Sequence, residues 1–162
     1  MATPTTLPAT FVAGNVLTAA QMNDLRGAFR ILQVVQGTQS TAVTTTSVGF
    51  VTSNLSASIT PSSTSSQVLA IYTGTYGGSS GTAEIYTALY RGTVAGTNLS
   101  IAPIYANSTP YYSTASKIYL DSPATTSATT YTVGFRSGNA AVTATAQVTN
   151  SMSTLILMEI SA

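Results

Sequence analysis

Cysteine, histidine and tryptophan are missing from this 162-residue chain, and Asp, Glu, Lys and Arg together make up only 6% of it. Without cysteine there is no disulfide and no thiol nucleophile. Without histidine the usual general base and the commonest transition-metal ligand are gone as well. Globular chains carry about 25% charged residues, so the shortage of charge is the strongest compositional signal. The formal net charge of +1 provides no long-range field. The five basic residues, Arg26, Arg30, Arg91, Lys117 and Arg136, are too few and too scattered to track a phosphate backbone, and nucleic acid is not an expected partner. No run approaches the roughly 20 apolar residues that cross a bilayer, so membrane insertion is not expected. Met1–Thr10 has neither the basic region nor the apolar core of a secretory signal.

Hydroxyls stand where charge is missing: serine and threonine fill about a third of the chain, far above ordinary usage. The hydrophobic fraction is an ordinary 44%, whereas disorder goes with low hydrophobicity and high net charge. Near-zero net charge gives little colloidal repulsion and suits a protein held in an assembly. The length allows one core of roughly 100–150 residues with a short appendage.

The pattern over most of the chain has period two. Tyr131, Val133 and Phe135 alternate with Thr132, Gly134 and Arg136, and Val142, Ala144, Ala146 and Val148 alternate with Thr143, Thr145 and Gln147. Leu155–Ile160 is apolar on both faces except at Glu159, as expected of a strand covered on both sides. Further strands are expected near Ser47–Val51, Leu55–Thr60, Gln67–Tyr76, Thr82–Arg91, Asn98–Tyr105 and Ser116–Leu120. Gly77–Gly81 reads as the flexible tip of a hairpin. Eight or nine short strands divided by Ser, Thr, Gly, Pro and Asn clusters predict an antiparallel sandwich, jelly roll or barrel.

The first third reads differently. Met1–Thr10 is a Thr/Pro arm, extended by Pro4 and Pro8. Thr18 and Gln21 form a capping box, with Leu17 and Met22 as its hydrophobic staple, and predict a helix from Ala19 to about Val34. Met22, Leu25, Phe29 and Leu32 line one stripe of it. That stripe either packs on the chain's own sheets or acts in assembly, and Leu17, Met22, Leu25, Phe29 and Leu32 are the assembly candidates. Gln33–Thr46 is read as a polar connector, giving an appendage over residues 1–46 and a β domain over residues 47–162.

Chemistry is scarce. The four carboxylates are Asp24, Glu84, Asp121 and Glu159. A glycosidase would need two of them about 5–10 Å apart across a cleft, and no motif selects a pair. No catalytic residue, metal ligand or cofactor is expected. Glu159 is expected to reach the sheet rim or pair with an arginine such as Arg136, or else to lie at a subunit contact. Tyr111 and Tyr112 fall in an expected loop after Pro110, where paired aromatics suit a binding surface.

Phe11-Val12-Ala13-Gly14-Asn15-Val16-Leu17-Thr18-Ala19-Ala20-Gln21-Met22-Asn23 resembles the F-x-x-G-x-x-L-T-A-x-x-M-N opening of many small structural proteins of tailed bacteriophages. Leu120–Pro123, Thr130–Val133, Arg136-Ser137 and Ser153–Ile160 are similar to the last strands of trimeric jelly-roll tips in such proteins. The resemblance implies an all-β fold: an antiparallel jelly-roll-like sandwich preceded by an N-terminal arm and one short amphipathic helix. It further implies a homotrimer located in the virion. Its partners would be other virion proteins through the N-terminal segment and, as the alternative role, a host receptor or glycan.

Overall fold

The computed structural model describes residues 16, 18, 19, 31–80, 84–105, 111–148 and 151–161. Ala19 is helical, and from Ile31 onward every regular element among the described residues is a strand: β1 (Ile31–Gln39), β2 (Val43–Thr45), β3 (Val51–Ile59), β4 (Gln67–Gly78), β5 (Glu84–Arg91), β6 (Thr97–Tyr105), β7 (Tyr111–Asp121), β8 (Thr129–Ser137), β9 (Ala144–Ala146) and β10 (Ser153–Ile160). They form two antiparallel sheets. In the first, β1, β10, β4 and β7 lie side by side, and the short pair β9–β2 continues along β4 beyond the end of β10. The second has the order β3-β8-β5-β6.

Alternation decides which side chains meet between the sheets. Val68, Ala70 and Tyr72 of β4 and Leu155 and Leu157 of β10 project inward from the first sheet. Leu55, Ile59, Ile85, Leu89, Val133 and Phe135 oppose them from the second. A β-bulge between Thr52 and Leu55, with Asn54 at φ 62°, turns the Ser53 hydroxyl inward to donate to the Val133 carbonyl at 2.8 Å. The Tyr72 hydroxyl bonds the Thr87 hydroxyl across the interior at 2.7 Å.

Burial pushes the hydroxyls of Tyr72, Tyr76 and Tyr131 above the ordinary tyrosine value of 10.0, and at Tyr131 the Asp121 carboxylate pushes further the same way. Neutral tyrosine is therefore favoured by the fold. That contribution is complete below the ordinary value and drains away as pH rises beyond it. We expect alkaline unfolding above about pH 10 to be cooperative, with these hydroxyls ionising as the sheets separate. Tyrosinate absorbance and far-ultraviolet dichroism, followed together, should show one shared transition. Complete titration of all nine tyrosines in a chain that keeps its sheet signal would contradict the burial.

Several expectations are corrected. Residues 31–34, the last turn of the predicted helix, belong to β1, because each inter-strand bond to β10 outweighs weak helix propensity. Of the rest of that helix only Ala19 is among the described residues, and it is helical, while Leu17, Met22, Leu25 and Phe29 lie outside them. The expected connector over residues 33–46 is two strands; its inward positions are Gln33, Val35, Gly37 and Gln39, too polar to read as a strand. Residues 47–50 are not strand, and of the run Ala141–Val148 only Ala144–Ala146 is. Gly77–Gly81 is not a hairpin tip, because β4 and β5 sit in different sheets. Tyr111 and Tyr112 open β7 instead of lying in a loop.

Candidate functional site

The same alternation that fills the interior fixes what the first sheet presents outward. Opposite Val68, Ala70 and Tyr72 stand Leu69 and Ile71, and opposite Leu155 and Leu157 stand Ile156 and Met158. The register aligns these in rows across four strands. Val34, Met158, Leu69 and Leu120 form one row, and Gln36, Ile156, Ile71 and Ile118 the next. Leu32 and Ile160 extend the apolar field at one end. Thr38, Thr154, Thr73 and Ser116 border it at the other. Ile118 is 65% exposed, Val34 57% and Leu120 49%. The outward positions of β1, β10, β4 and β7 include no Asp, Glu, Lys or Arg.

Charge is placed elsewhere. Glu84, Tyr86 and Arg136 share the outer face of the second sheet. There the Arg136 guanidinium lies 3.9 Å from the Tyr86 ring centroid and 5.4 Å from that of Phe50, and the Tyr86 hydroxyl donates to Glu84. Arg91 reaches between the sheets to Asp121 at 3.3 Å, and Tyr131 donates to the same carboxylate at 2.6 Å. Lys117 turns away from the apolar field, its ammonium 3.5 Å from the Ile101 carbonyl of β6.

Glu159 neither sits on an exposed rim nor pairs with Arg136. It is buried beneath the β3–β4 connection. Its carboxylate accepts from the Ser62 backbone N–H at 2.7 Å, the Ser62 hydroxyl at 2.6 Å and the Gln33 amide at 2.6 Å. Burial alone would raise its pKa, but these donors outweigh it and hold the carboxyl at about 2 against an ordinary 4.5. Asp121 and Glu159 flank Val68 in one inward-facing row, about 10 Å apart at two strand spacings. Both are buried and each is held by its own donors, while Glu84 stands on the opposite sheet. Among the described residues no three carboxylates are grouped to hold a metal.

Of the residues singled out in the sequence, Leu32 lies at the edge of the apolar field. Tyr111 and Tyr112 part company: Tyr111 is 6% exposed and packs into the core, while Tyr112 is 58% exposed with its ring over Gly77. Ile71, Ile118, Leu120, Ile156 and Met158 were not singled out. Their signal was present, since Val68–Tyr72 and Ile118–Leu120, like Leu155–Met158, are apolar on consecutive residues and cannot satisfy both faces in one core.

No family model matches the sequence, and no curated protein matches it. Among solved structures the chain is similar to a protein of Bacillus endospore appendages, described as disulfide-linked pili, with 18% identity over 77% of this chain and 87% of that one, at a TM-score of 0.35. It is also similar to VP2 of infectious bursal disease virus in a subviral particle, with 13% identity over 80% of this chain, at a TM-score of 0.43. That match spans 37% of the VP2 chain.

Proposed function

We propose that this chain is a non-enzymatic structural subunit of a tailed-phage virion. In this reading it is a small decoration or fibre-like protein attached to capsid or tail, anchored by its N-terminal segment and trimeric through its β domain. The observation that carries the reading is the outer face of β1, β10, β4 and β7, a charge-free field of large apolar side chains, while the charges of the described residues all lie off that face. Exposed apolar fields of this kind mark interaction surfaces. The strand order supports a jelly roll: β1-β10-β4-β7 facing β3-β8-β5-β6 is the arrangement of eight strands wound as two Greek keys. Fold alone does not assign a role; the two phage-like ends of the sequence supply the virion.

A second reading, a tip that touches a host receptor or glycan, is favoured by Tyr105 and Tyr112, both exposed, where β6 ends and β7 begins. Mass spectrometry of tailed particles purified from cells that carry the gene tests the main reading. Peptides of this chain should co-sediment with the particles at a fixed ratio to the other particle proteins. Their presence in the soluble fraction alone would overturn it.

A further inference from the structure

Resting on the reading of the chain as an assembled subunit, we infer that the outer face of β1, β10, β4 and β7 is covered by a second copy of this chain. Area is the first argument. Four strands and three to four rows of outward residues give a footprint of roughly 20 by 25 Å, about 500 Å². Two copies then withdraw about 1,000 Å² together, the size at which an interface becomes specific.

Charge is the second argument. A foreign surface brings about one charged residue in four, and each would be desolvated against a face that has no counter-charge to offer. The same faces of neighbouring copies, gathered about the trimer axis, meet one another without that cost. Its Ile156–Ile71 and Met158–Leu69 rows also offer apolar side chains to apolar side chains. Closed symmetry then leaves no apolar field exposed. Nor do the described residues ahead of β1 shield the face: Val16, the one large apolar residue among them, is 90% exposed. The second sheet, with Glu84 and Arg136 on its outer side, is left to face water.

The absence of cysteine makes the test clean. In the full-length chain, Ile118→Cys places one thiol on the face and Ser56→Cys places one on the outer side of β3 as a control. Maleimide should label the Ile118→Cys thiol at least about tenfold more slowly as protein concentration rises, by mass action, while the control rate stays constant. The full-length chain should sediment as an oligomer and the Ile118→Glu/Leu120→Glu variant at 16.6 kDa with unchanged dichroism. Protection in a chain that sediments as a monomer at the same concentration would mean that the chain's own N-terminal residues cover the face, and would overturn the inference. So would unprotected thiol, or an oligomer that survives the double substitution. An oligomer that survives leaves the virion reading intact, whereas loss of this chain from particles would overturn that reading whatever the thiol does.

Discussion

Replacing Gly37 by alanine will cost the fold about 3 kcal/mol and lower its melting temperature by roughly 6–12 °C. Gly37 lies in β1 where that strand, at the edge of one sheet, crosses β3 at the edge of the other. A Cβ there would sit 2.1 Å from the Ser56 carbonyl oxygen and 2.9 Å from its carbon. Both are backbone atoms of a paired strand and cannot rotate away. Either β1 lifts from β3 or the β1–β10 ladder shifts, and both routes loosen Val35 and Leu157 beside it. Amide exchange should localise the damage, with β1 losing protection before β4 or β8. Gly49→Ala is the matched control: its Cβ would meet only the Ser47 hydroxyl, at 3.5 Å. With less freedom in the unfolded chain, that variant should be neutral or gain up to about 1 kcal/mol. If Gly37→Ala and Gly49→Ala melt together, the two sheets do not close at this corner.

Gly37 also illustrates why the start of the β domain was hard to see in sequence. A strand is legible when one of its faces is apolar, as in Tyr131-Val133-Phe135 or Leu155-Leu157. β1 turns Gln33, Val35, Gly37 and Gln39 inward, so its inner face holds a hydrogen-bond donor for Glu159 and a space for Ser56 in place of hydrocarbon. On its outer face Leu32 falls at helical spacing from Leu25 and Phe29, and the helix pattern, carried on to about Val34, absorbed the start of the strand. The all-β class and most later strands were legible because threonine keeps β geometry on the wet face while apolar residues fill the other. Sheet assignment was not, since nothing local to Gly77–Gly81 says that β5 leaves the sheet of β4 for the other one. The apolar field was half legible. Leu155–Met158 announced a strand with two apolar faces, but Ile118 and Leu120 join that field only through the β4–β7 register, which no single segment contains. Glu159 was read from its strand alone, and its partners, Ser62 and Gln33, are 97 and 126 residues away.

Glu159→Gln should remove about 3 kcal/mol at most at neutral pH, a fall of at most roughly 6–12 °C in melting temperature, and almost nothing at pH 2. The sign follows from the hydrogen bonds. Three donors, the Ser62 N–H, the Ser62 hydroxyl and the Gln33 amide, stabilise the ionised carboxylate and hold it at about 2 rather than 4.5. The folded state therefore keeps its negative charge where the unfolded chain takes up a proton. The stabilisation is complete above pH 4.5 and is lost as the pH falls from there to about 2. Glutamine matches the shape but replaces a charged acceptor by a neutral one and turns an N–H group toward donors. Urea unfolding of both proteins between pH 7 and pH 2 isolates this group, because every other group is common to the two proteins and cancels in the difference. The two stability curves should converge as the pH drops, whereas parallel curves would mean that the carboxylate is not held by Ser62 and Gln33. Glu159→Leu should cost more than Glu159→Gln at neutral pH, since it strips the Ser62 N–H and hydroxyl of their acceptor and leaves the Gln33 amide only the Thr60 carbonyl. The ordering Glu, then Gln, then Leu would identify Glu159 as the clamp that ties the β3–β4 connection and β1 to the last strand. That clamp keeps the edge of the apolar field in register.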